Sequence, residues 1–154
     1  MPHSESRVAA NLSQAIVDIT AEVLETMFYL FPEEEPICGD GASPEPPVAA
    51  VFRFEGLPSG TLVIVISAAA ARSAAANFLA IEEEEVASSQ MAEIVCEMAN
   101  MVGGCLLGCI ENRTPLQPFP PQNIAPDAYA AGTPAASHRF YLENGTLTVS
   151  FYWE

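Results

Sequence analysis

The order of patterns along this chain predicts an α+β domain, with helices grouped against a mainly antiparallel sheet. Three observations carry that prediction. Apolar residues recur every three or four positions from Ser4 to about Leu30, and a second long helix is expected from Ser89 to Ile110. Val48 to Glu55 and Gly60 to Ser67 read as two strands joined by Gly56-Leu57-Pro58-Ser59. Arg139 to Trp153 reads as a closing hairpin. Helix-then-hairpin thus occurs twice, which suggests a pseudo-repeat, although no sequence identity supports it. The 154 residues suit a single domain, 1–154, long enough to bury roughly 70% of its unfolded surface.

The first helix is read from Val8, Leu12, Ile16, Ile19, Val23, Leu24, Met27 and Phe28, which fall on one face. Pro32, Glu33-Glu34-Glu35 and Pro36 end it. Its opposite face carries Asp18, Glu22 and Glu25 and is read as solvated. Residues 37–47 have the Gly, Asp, Ser and Pro content of a loop. The strand TLVIVI within 60–67 is continuously apolar and is expected to be central. Ala68 to Leu79 is a helix of small residues suited to close packing on a sheet. The acidic run Glu82 to Glu85 suits the positive end of the next helix dipole and is read as solvated.

Beyond the central helix, Thr114 to Phe119 reads as a short strand. Pro115, Pro118, Pro120, Pro121, Pro126 and Pro134 then imply a long irregular connection. In the final hairpin, Asn144-Gly145 supplies the positive φ angles of a type I′ turn. Leu147, Val149, Phe151 and Trp153 alternate with Thr146, Thr148, Ser150 and Tyr152. Tyr141, Tyr152 and Trp153 are read as sheet-face packing.

Composition excludes several classes of function. Five Arg, no Lys and twenty Asp plus Glu leave a net charge of −15. Such a field repels nucleic acid and anionic membrane and speeds encounter with a basic surface. No apolar run approaches the ~18 residues of a membrane span, and no basic segment precedes a short apolar one. A cytoplasmic protein is expected. Of the four cysteines, Cys96, Cys105 and Cys109 fall in the central helix, and Cys38 lies before the strands. His3 and His138 are far from them in sequence, so buried structural thiols explain them better than a metal centre.

The central stretch, SQMAEIVCEMANMVGGCLLGCI, would be about 33 Å long as a helix. Glu93, Glu97 and Asn100 share one stripe of it, and the i+4 step from Asn100 continues that stripe to Gly104. A solvated amphipathic face is one reading. Against it, the polar set holds no Lys or Arg. Gly103 and Gly104 come next, each at a helix-propensity cost of about 1 kcal/mol, which suggests close backbone approach or a kink. The residues by themselves mark a candidate site.

Glu97-Met98-Ala99-Asn100, followed by Met101-Val102-Gly103-Gly104, resembles the E-x-x-N signature of the CheC/CheX/FliY family of chemotaxis phosphatases. The chain is most similar to the CheX branch, with one signature preceded by an α-β-β-α run. Glu22-Val23-Leu24-Glu25 occupies the place of a second signature but lacks its Asn. The family often has Ser or Asp four residues before the signature Glu; this chain has Glu93.

The resemblance implies a CheC-like fold with two long helices side by side, and a homodimer. It implies dephosphorylation of the phospho-aspartate of a CheY-like response regulator. Asn100 would position the attacking water, and Glu97 would pair with the regulator's active-site Lys. Glu93, Met101 and Gly104 would lie at the docking surface. No cofactor of its own is expected, and Mg²⁺ would sit on the regulator. Two alternatives stand beside this. One is a non-catalytic module of the same fold that docks a regulator or a flagellar-switch component, which Glu93 would favour. The other is an unrelated thiol or metal centre in the central helix.

Overall fold

In chain order the elements are helix α1 (Pro2–Met27), strands β1 (Val48–Glu55) and β2 (Gly60–Ile66), and helix α2 (Ala68–Leu79). A 3-10 turn at Glu83–Glu85 leads into helix α3 (Ser88–Leu107). Strands β3 (Gln117–Pro118), β4 (Gln122–Ile124), β5 (Ala136–Leu142) and β6 (Gly145–Trp153) complete the chain. The structure, a computed structural model, describes residues 2–36, 45–110, 112 and 114–154, without the side chains of residues 2–10. The greater part of the expected 37–47 loop, with Cys38, lies outside the described residues.

Two antiparallel hairpins make the sheet. β1 runs against β2 from Val48↔Ile66 to Phe54↔Gly60, and β5 against β6 from Ala136↔Phe151 to Leu142↔Gly145. Pairing of β2 with β6, Gly60↔Trp153 through Ile66↔Leu147, joins them at the centre. The order is β3-β1-β2-β6-β5, and β4 shares the outer edge of β1 with β3. The pseudo-repeat is thus visible in the packing. α1 and α3 pack on each other, and on the sheet α3 lies chiefly on β1 and α1 on β5, so each long helix covers the outer strand of the other unit's hairpin.

The core lies between helices and sheet. Phe52, Phe54, Leu62, Ile64, Ile66, Leu147, Val149 and Phe151 meet Ile16, Leu24, Val95, Met98 and Leu106 there. Leu62, Ile64 and Ile66 alternate along β2, which places every second side chain on the helical face. Truncating one of the fully buried members, such as Met98, would cost about 2–5 kcal/mol. On the opposite face, Tyr129 packs on Tyr152 at 5.2 Å between ring centroids, and the Tyr152 hydroxyl donates to the Tyr129 carbonyl (3.3 Å). The connection from β4 to β5 therefore returns across the back of the sheet. Among the described residues, no helix is long and apolar enough to cross a membrane.

Several details differ from the expectations. The central helix stops at Leu107 rather than Ile110. Gly108, Cys109 and Ile110 donate to carbonyls three residues back, so the chain tightens into a turn that takes Cys109 out of the helix. The final hairpin closes through Glu143-Asn144, with Leu142 paired to Gly145. Within this turn only Gly145 has a positive φ (149°), and Ser67 Oγ stands where a Cβ on it would lie, so the position suits glycine on both counts. The strand expected over 114–119 shrinks to Gln117–Pro118, and Gln122–Ile124 is a strand within the expected irregular connection. Trp153, expected with the packed face of β6, is 39% exposed at its end. Glu82 to Glu85 are exposed as expected, and Glu83 also accepts a hydrogen bond from Ser73 Oγ at 2.6 Å.

Candidate functional site

α3 has a sharply divided surface because its apolar residues recur every three or four positions. Met91, Ile94, Val95, Met98, Ala99, Val102, Gly103 and Leu106 are buried. Glu93, Glu97, Asn100 and Gly104 are exposed, and Met101 is half-buried at the edge of their stripe. The sequence-read set is therefore brought together on one solvent-facing line. Along the axis, Glu97 and Asn100 stand about 4.5 Å apart, one near-turn, with their side chains on the same side.

Three fastenings fix where this line points. At the start of α3, the Ala87 N–H donates to Gln90 Oε1 (2.8 Å), satisfying a donor that the helix itself cannot use. Asn123 Nδ2 donates both to the Ala92 carbonyl (3.1 Å) and to the Ala49 carbonyl (3.2 Å), tying the first turns of α3 to β1. Near the other end, Gly103 lies directly on the Phe52 ring, where any Cβ would overlap it. The candidate residues sit between these anchor points. Asn123 escaped the sequence reading because it lies among prolines. A carboxamide between Gln122 and Ile124 carries no periodic signal.

The two glycines after the signature have separate roles. Gly103 satisfies the expectation of close backbone approach. Gly104 does not: a Cβ built on it meets no atom of a described residue within 4 Å. Its cost in helix propensity is not repaid by packing inside the chain.

The electrostatics of the stripe are negative. Glu97 and Asn100 make no hydrogen bond or ion pair with any described residue. Cys96, half-buried beside them, has its thiol pKa pushed above the ordinary 9.0, first by burial and then by the charges of Glu97 and Glu93. It is held protonated at neutral pH and is a poor nucleophile. Cys105 and Cys109, expected to be buried, are exposed. Among the described residues, no three His, Cys, Asp or Glu side chains are grouped to hold a metal ion.

An exposed carboxylate beside an exposed carboxamide can pair with a cation and hold a water, since the amide both donates and accepts hydrogen bonds. It has no strong nucleophile of its own. Such a pair suits a substrate that brings the rest of the chemistry.

The known proteins that this chain resembles share this architecture. A crystal structure of chemotaxis protein CheX from Vibrio vulnificus is 18% identical, covers 95% of this chain and 98% of its own, and has a TM-score of 0.72. A CheC-like superfamily protein from Shewanella sp. PV-4 is 20% identical, with coverages of 93% and 97% and a TM-score of 0.63. The CheX of a CheX–CheY–BeF₃–Mg²⁺ complex from Borrelia burgdorferi is 18% identical, with coverages of 92% and 96% and a TM-score of 0.64. At these identities the likeness establishes the CheC-like fold. No curated protein matches the chain in sequence. The family model described as "Chemotaxis phosphatase CheX" matches residues 48–143, more than half of the chain and including all of α3. The chain belongs to the CheX family of chemotaxis phosphatases.

Proposed function

We propose that this protein hydrolyses the phospho-aspartate of a CheY-like response regulator, with α3 as the element inserted into the regulator's site. The observation that carries the reading is the pairing of Glu97 and Asn100 on the exposed line of α3, with no partner for either among the described residues. Membership of a phosphatase family supports it, as does the existence of a CheX–CheY complex among the structural relatives.

In this mechanism the Asn100 carboxamide accepts from and donates to the attacking water, holding its oxygen in line with phosphorus. The water's oxygen bonds to phosphorus, the bond from phosphorus to the aspartyl oxygen breaks, and inorganic phosphate leaves. Positioning and charge stabilisation dominate such a transfer. Glu97 pairs with the regulator's active-site Lys and seats the helix. Mg²⁺ belongs to the regulator and offsets phosphoryl charge there. Glu93, Met101 and Gly104 form the surrounding contact, with bare Gly104 letting the regulator's backbone come close. The homodimer implied by the family resemblance is part of this proposal, and sedimentation velocity reads it.

The test is loss of radiolabelled phosphate from a CheY-like regulator at fixed Mg²⁺. Faster loss that Asn100→Ala abolishes, while binding to the BeF₃-loaded regulator persists, supports the assignment. Full activity in the Asn100→Ala protein overturns it. One observation favours a second reading. Glu93 puts another carboxylate one turn before Glu97, so binding without any acceleration would make the protein a docking module.

A further inference from the structure

Much of the large apolar surface left in solvent is gathered in one place. Met27, Tyr29 and Phe31 stand close in sequence at the end of α1, and Phe78 and Leu79 close α2. Phe28 and Phe78 stack at 5.4 Å, and Asn77 Nδ2 donates to the Phe28 carbonyl (2.8 Å), so the two groups lie side by side. Met27, whose spacing predicts the buried face of the first helix, is 41% exposed instead. Tyr29 and Phe31 are 64% and 57% exposed. Exposed patches of this kind on a soluble domain mark contact surfaces.

The backbone holds one of these rings out at a cost. Tyr29 has φ 53°, a left-handed angle at the end of α1, with the Leu30 N–H returning to the Leu24 carbonyl (2.9 Å). Gly or Asn takes that conformation without strain, and an aromatic residue does not. The Tyr29 hydroxyl bonds to no described residue. Nothing among the described residues accounts for a tyrosine there.

The surroundings state what would cover it. Tyr29, Leu30 and Phe31 line a hollow of about 340 Å³ together with Glu33, Glu83 and Glu143. The runs Glu33–Glu35 and Glu82–Glu85 flank it. Among the described residues, no Lys or Arg lines the hollow. Arg72, on α2, is turned to the Val86 carbonyl and Glu45. On this face a second copy would set acidic rim against acidic rim, and the net charge of −15 repels an anionic membrane. We infer that the patch formed by Met27, Tyr29, Phe31, Phe78 and Leu79 is a second docking surface, which takes a basic amphipathic segment of a partner protein. Apolar anchors of the segment lie on the aromatic residues, and its Lys or Arg side chains meet the runs Glu33–Glu35 and Glu82–Glu85 and the open ring faces. The patch shares no residue with the line on α3 and does not rest on the phosphatase reading.

A fluorescent synthetic amphipathic helix of Leu and Lys, with Leu at i, i+3 and i+4, tests this by anisotropy against the intact protein. Controls are a scrambled peptide of equal composition and one with Glu for Lys. The expected result is binding that weakens with salt and is about tenfold poorer for the scrambled peptide. Phe31→Ser and Tyr29→Gly should each weaken it by about tenfold, the latter with an unchanged or higher Tm. Asn100→Ala should change nothing. Equal binding of the scrambled peptide would reduce the effect to bulk charge and overturn the inference. So would a loss of binding in the Asn100→Ala protein, or a wild-type dimer that Phe31→Ser dissociates, which would assign the patch to a second copy.

Discussion

The two long helices present polar lines of the same spacing. Asp18, Glu22 and Glu25 on α1 match Glu93, Glu97 and Asn100 on α3, at i, i+4 and i+7. Both helices cover the outer strand of a hairpin. The two lines part at their last position and in the residues just beyond it. Glu25 carries a carboxylate, which only accepts hydrogen bonds, whereas Asn100 can donate as well. After Asn100 comes bare Gly104; after Glu25 come exposed Met27 and Tyr29. On α1 the line is also partly occupied by its own chain, since Gln14 Nε2 donates to Asp18 (2.8 Å). An acidic helix face is therefore not itself a site. The amide and the open space beside it distinguish the two.

The largest expected effect separates the two helices by activity. Asn100→Ala should lower turnover of the phosphorylated regulator by about 100-fold or more, the scale on which a single positioned donor acts. Glu25→Ala should leave it within about twofold, as expected for a solvated surface position. The comparison can be pressed further by adding Glu25→Asn to the Asn100→Ala protein, which creates a second E-x-x-N sequence on α1. No recovery is expected. Recovery would show that the four-residue signature suffices without its small-residue surroundings.

A second contrast lies within α3, between its adjacent glycines. Gly103→Ala forces a methyl into the Phe52 ring, and overpacking of this kind costs about 1–3 kcal/mol, only partly offset by better helix propensity. Urea denaturation should show a lower midpoint. Gly104→Ala meets open space and should stabilise the fold by up to about 1 kcal/mol, while weakening the regulator complex if the partner's backbone approaches there. Stability rising as affinity falls would sharpen the docking role of this face; unchanged affinity would remove Gly104 from it.

Much of this was legible because it is local. The bounds of β1 and α2 come from residue pattern alone, β2 ends one residue earlier than expected, and the exposed line on α3 comes from its helical spacing. The illegible parts depend on partners distant in sequence. β4 is three residues between prolines, and only its pairing with Ala49, Ala50 and Val51 makes it a strand. Asn123 becomes an anchor only when β1 and α3 are brought to either side of it. Met27 has the spacing of a buried residue, but α1 ends there and its neighbours turn away, so periodicity overran the helix end. The hairpin turn lies one residue earlier than Asn-Gly suggests, with Gly145 paired to Leu142 and set against Ser67, a residue distant in sequence.

The smallest effect reads the charge of the α3 line through Cys96. Its pKa is raised by burial first and by Glu97 and Glu93 second. The unfolded thiol ionises at the ordinary value of 9.0 and the folded one above it. The resulting contribution to stability is complete below that value and is lost as pH rises through the folded pKa. Iodoacetamide should therefore modify exposed Cys105 and Cys109 before Cys96 at mildly alkaline pH, read by peptide mass spectrometry. Glu97→Gln removes one negative neighbour and should move the Cys96 alkylation profile to lower pH, while burial keeps it above the ordinary value. α1 has no cysteine beside Glu22, so this readout is confined to the α3 line. A profile unmoved by Glu97→Gln would mean that burial alone holds the thiol, and that solvent screens the Glu97 carboxylate even from its nearest neighbour.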